Sequence, residues 1–187
     1  MNVSWSKVNQ ELQDIRSRTE QLIQGLGPEQ LTRRPESGGW SIAECIGHLN
    51  MTAVAIQPLI DSVIKQGKDS KIVGKGPFKT GAIGGLLLWI AEPPPKFKIK
   101  APKTVAPAAT VGDPTHLIAE FIRFQDEWAR LVRDAEGLDR NKIKLKTFPR
   151  LPAMRLAASL PWMMAHQRRH LWQAEGVKEK WFKRAAS

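Results

Sequence analysis

The sequence predicts an all-α protein: a four-helix bundle with a long insertion between its second and third helices. Three observations predict it. Four separate segments repeat apolar residues at helical spacings of three and four. Caps, glycines and prolines mark the ends of those segments, and almost none of the intervening chain alternates as strands do. A chain of 187 residues with 42% apolar content fills one core, so residues 1–187 are expected to form a single domain.

In the first segment Trp5, Val8, Leu12, Ile15, Leu22 and Leu26 recur on one face, and "GLGP" stops the helix. The second opens at "GGWSIAE". Ser41 is the N-cap, Glu44 three residues later completes a capping box, and Trp40 can pack on Cys45 as a staple. Ile42, Ile46, Leu49, Ala53, Ile56 and Ile60 continue the stripe past Pro58. The third begins at "GDPTHL", with Asp113 as cap and Pro114 at the first helical position, where no N–H is needed. Leu117, Phe121, Phe124, Trp128 and Leu131 give a 4-3-4-3 pattern, and Gly137 closes it. The fourth is expected over residues 153–175, ending before Gly176, with Pro161 inside it.

Residues 67–112 hold many of the glycines and prolines around an apolar centre, "AIGGLLLWIA". A connection that long and that apolar reads as a lid or wall packed on the bundle. "KFKIK" (96–100) and "KIKLK" (142–146) both alternate basic and apolar residues and are expected to form a short two-stranded patch.

The formal charge of +11 is distributed unevenly. Residues 1–66 carry six basic and seven acidic side chains, residues 67–113 eight and three, and residues 114–187 fifteen and eight. The excess lies in connecting segments and near the C-terminus, with no single basic helix to read bases. A general attraction for anions follows, and specific nucleic-acid binding does not. The apolar run at 82–91 is half the length a bilayer span needs. The polar N-terminus lacks a signal-peptide pattern, and one cysteine cannot pair internally, so a cytoplasmic location is expected.

The chemistry concentrates in "HQRRHLWQAE", where His166 and His170 lie four apart. At about 100° per residue, with His166 as zero, His170 falls near about 40°, Met163 near about 60° and Leu160 near about 120°. Both imidazoles therefore ride on the apolar stripe, where a desolvated ring nitrogen requires a hydrogen bond or a metal. His48, two turns into the second helix, is the third candidate: an ordinary half-buried histidine bonded to a carbonyl, or the ligand that meets an i, i+4 pair inside a bundle. Three imidazoles would leave coordination positions open, as catalytic sites do. Cys45 reads as a small core residue, Glu44 as a cap, His116 as a locally bonded histidine, and Arg168 with Arg169 as a solvated face. Trp40, Trp162 and Trp172 read as core or dimer anchors, and Gln167 and Gln173 flank the histidine pair.

"GGWSIAECIGHLN" followed more than a hundred residues later by "HQRRHLWQAE" resembles the DinB/YfiT-like superfamily of small bacterial four-helix proteins. The resemblance covers nearly the whole chain and is loosest over 67–112. It implies a DinB/YfiT-like bundle, often dimeric, in which His48, His166 and His170 hold a divalent metal, commonly nickel or zinc. It also implies metal-dependent hydrolase or thiol-dependent S-transferase chemistry on a small substrate. The competing expectation is a non-catalytic basic module that binds an anionic partner, with the metal structural or vestigial. No Ser-His-Asp set and no glycine-rich phosphate loop is present.

Overall fold

The computed structural model describes residues 5–97, 101, 104–107, 112–146 and 153–185. Its elements are α1 (Trp5–Ile23), α2 (Pro28–Thr32), α3 (Ile42–Asp69), α4 (Gly81–Ala91), α5 (Pro114–Asp134), β1 (Lys144–Leu145), β2 (Met154–Arg155) and α6 (Leu156–Ala185). Helices α1, α3, α5 and α6 make the four-helix bundle. Both α1 and α3 pack against both α5 and α6, so the order around the bundle is α1, α5, α3, α6. The helix carrying His48 is therefore the direct neighbour of the helix carrying His166 and His170.

The local signals fold as written. The Ser41 hydroxyl accepts from the Glu44 N–H at 3.1 Å, and the Glu44 carboxylate accepts from the Ser41 N–H at 2.8 Å. Asp113 accepts from the Thr115 N–H at 3.0 Å, with Pro114 opening α5. The stripes meet in one core: Leu12 and Ile15 of α1, Ile46 and Ile60 of α3, Phe121 and Trp128 of α5, and Leu160 and Met163 of α6 are all buried. There Gln125 donates to Gln167 at 2.8 Å, so the residue that follows His166 on α6 is spent on a cross-bundle bond.

Glu44 does more than cap. Burial alone would raise its carboxyl group, but hydrogen bonds from Arg34 and Ser41 overturn this and hold it below its ordinary value of 4.5. Its contribution is therefore complete above about 4.5 and is lost as the pH falls through the lower folded value. Glu44→Gln keeps the cap and removes the charge. It should lower Tm at pH 7 by about 2–4 °C, with the gap to wild type closing as melts are repeated toward pH 3.

Two expectations are corrected. Helix α6 does not end before Gly176: it runs to Ala185. One glycine costs a helix only about 1 kcal/mol, whereas Val177 is buried beyond it. Lys178 there donates to the carbonyls of Gln21, Leu22 and Gln24 at the end of α1. Strand β1, within "KIKLK", pairs antiparallel with β2 rather than with "KFKIK", whose residues 98–100 lie outside those described. The long connection, expected to be a lid or wall on the bundle, contains a helix. α4 packs on α6 at Gly84, where any side chain would overlap the Cβ of Ala158.

Candidate metal centre

Helix α3 delivers His48 from the end of its second turn, with the start of the helix fixed by the Ser41–Glu44 cap. Helix α6 delivers His166 and His170 one turn apart on its inward stripe. The ring centroids stand 5.1 Å (His48–His166), 4.5 Å (His48–His170) and 4.7 Å (His166–His170) apart. One ligand atom from each lies within 4.8 Å of the others, a set that could hold a metal ion.

The protonation pattern suits that use. The Nδ1–H of His48 donates to the Val105 carbonyl at 2.6 Å, which leaves Nε2 as a bare lone pair facing Nε2 of His166 at 3.2 Å. Two nitrogens each about 2.05 Å from a tetrahedral ion would stand about 3.3 Å apart, so the pair is already spaced as shared ligands are. Nδ1 of His166 and Nδ1 of His170 are buried and find no hydrogen-bond partner among the described residues. Such groups cost about 1–3 kcal/mol each when left unmade.

Burial pushes all three imidazoles below their ordinary value. For His48 the Val105 hydrogen bond opposes the drop. For His166 the charges of His170, His48 and Arg169 deepen it. His170 is brought to about 3, with His48 and Arg169 adding to burial and the Gln173 side chain working the other way. At neutral pH the three rings are therefore uncharged, the form that ligates. His48 and His170 are buried and His166 is partly so.

The aromatic walls were not legible in the sequence. Trp40 stacks on His170 at 5.5 Å and tilts against His48 at 4.9 Å, and Trp162 stacks on His166 at 5.7 Å. Two residues read as core or dimer anchors thus enclose the rings, whereas Trp172 is exposed. Arg169 is not a solvated face: it donates to the carbonyls of Ile90 at 2.9 Å and Phe97 at 2.8 Å, tying the segment after α4 to α6. Arg168 is held by Glu11 and Glu92. Among the described residues no thiol or carboxylate joins the three histidines. Cys45 is buried with its thiol pushed far up, Glu44 is occupied by Ser41 and Arg34, and His116 is exposed outside the cluster.

The DinB superfamily model matches residues 11–174, a span that takes in all three histidines. Among solved structures the fold is similar to that of YfiT from Bacillus subtilis, described as a probable metal-dependent hydrolase with an unusual four-helix bundle topology. The TM-score is 0.63 at 15% identity, over 95% of this chain and 89% of that one. No curated protein matches the chain.

Proposed function

The chain belongs to the DinB superfamily, and we propose that it is a metal-dependent hydrolase in which His48, His166 and His170 hold the ion. One observation carries this reading: three neutral imidazoles from neighbouring helices converge, with one ligand atom from each within 4.8 Å of the others. A structural zinc site asks for four protein ligands, whereas three leave positions for water and substrate. Imidazole suits both zinc and nickel, the two ions proposed here. When bound, such an ion would bring the pKa of a coordinated water down toward about 7 and polarise a substrate carbonyl.

The chain's own residues do the rest. The Val105 carbonyl fixes the tautomer and tilt of His48. Trp40 and Trp162 close the flanks of the cluster and hold its rings in place. The charge of Arg169, felt at both His166 and His170, and the net charge of +11 favour a small anionic substrate. The relative described as a probable metal-dependent hydrolase adds support for hydrolysis over transfer.

The test is a panel of ester and amide substrates offered to tag-free protein before and after chelation, with and without a low-molecular-weight thiol. Hydrolysis that disappears on chelation and returns with zinc or nickel is the expected result. Turnover that survives complete metal removal overturns the proposal, and turnover strictly dependent on the thiol replaces hydrolysis with S-transfer.

A further inference from the structure

Helix α4 is a surface helix without a polar side chain: its sequence is GAIGGLLLWIA. One side packs on α6 through Gly84, Leu88 and Ala91. The opposite arc presents Ile83, Leu86 and Trp89, which are 45%, 57% and 51% exposed, and Phe97 beyond the helix is 55% exposed with its ring 6.1 Å from that of Trp89. A helix that is apolar all round is ordinarily buried or in contact with lipid. At 11 residues, α4 is too short to span a bilayer.

The surroundings of this face are basic. Exposed Lys75 and Lys79 precede α4, and exposed Lys96 follows it with its ammonium 5.2 Å from the centre of the Trp89 ring. Residues 67–113 carry eight lysines against three acidic side chains. The face is also pre-formed. Arg169 holds the carbonyls of Ile90 and Phe97, and Arg168 holds Glu92, so α4 and Phe97 are fixed to α6 as one plate.

We propose that the exposed face of α4, with Phe97 and its flanking lysines, docks on an anionic lipid surface: Ile83, Leu86 and Trp89 enter the headgroup boundary while Lys75, Lys79 and Lys96 meet lipid phosphates. An apolar arc carrying tryptophan and bordered by lysines is the composition of a helix that lies in the plane of the interface. A second copy of the chain is the poorer occupant, because a two-fold contact through this face would bring its lysines against their own copies.

The experiment is co-sedimentation of the full chain with vesicles of phosphatidylcholine alone and with about 30 mol% phosphatidylserine, at low and high salt. Binding is expected to the anionic vesicles only, and to weaken with salt. The double variant Leu86→Glu, Trp89→Glu should lower the bound fraction at least fivefold without altering the far-ultraviolet circular dichroism, since both side chains project into solvent. Lys79→Glu with Lys96→Glu, which leaves the apolar face intact, should lower partitioning about fivefold per lysine removed. Absence of sedimentation at low salt, or equal sedimentation of wild type and both variants, overturns the proposal. So does a dimer that the Leu86→Glu, Trp89→Glu pair splits, or an acidic polypeptide that binds this face, when no vesicle binds.

Discussion

Replacing His166 with leucine should abolish metal retention and leave the metal-free protein close to wild type in stability. Leucine roughly fills the imidazole's volume while deleting a buried Nδ1 that has no partner among the described residues. The exchange also takes away the Nε2 that faces Nε2 of His48 at 3.2 Å, so the gain at Nδ1 and the loss at Nε2 oppose each other and the net change should stay within about 1 kcal/mol. Loss of a residue that merely orients a ligand typically costs 10–100-fold in affinity, so loss of a ligand itself should cost more than about a hundredfold. Titration of the apo-protein with zinc, beside urea melts in the presence of chelator, measures both quantities. His116→Ala is the matched control: it removes an exposed imidazole outside the cluster and should bind zinc as wild type does.

Trp128→Ala should bring the metal-free protein to the edge of unfolding, and zinc should restore it. Trp128 is 1% exposed at the centre of α5, among the largest fully buried side chains. Truncating a buried tryptophan costs about 3–5 kcal/mol, against a total of about 5–15 kcal/mol for a domain. The three imidazoles come from α3 and α6, so an ion bound there favours the folded bundle alone. At a free concentration of about a thousand times Kd it returns about 4 kcal/mol, most of what the substitution removes. Melts of the variant with and without zinc check this. A Tm that does not respond to the ion would mean that the site is not built across the two helices.

What could be read from the sequence was what the chain decides locally. The Ser41–Glu44 box and the Asp113–Pro114 start depend on residues within one turn, and both are found. The 100° step was enough to place His166 and His170 on the buried stripe of α6. Contacts fixed by distant segments were not legible. Nothing in "TVAP" announces that the Val105 carbonyl will orient a ring 57 residues away, and nothing in Trp40 or Trp162 separates a wall of the site from ordinary core. The apolar run that forms α4 has no helical periodicity to detect, because every side chain in it is apolar or absent. The continuation of α6 past Gly176 follows from Lys178 and the carbonyls at the end of α1, a tertiary contact that outweighs a local stop signal.

The convergence of three rings on one ion is tested most directly by X-ray absorption at the metal edge of protein reconstituted with one equivalent of zinc. Three imidazole nitrogens at about 2.0–2.1 Å, with light oxygen scatterers completing the shell, is the predicted spectrum. A shell with two imidazoles or fewer, or with a sulfur at about 2.3 Å from Cys45, would contradict it.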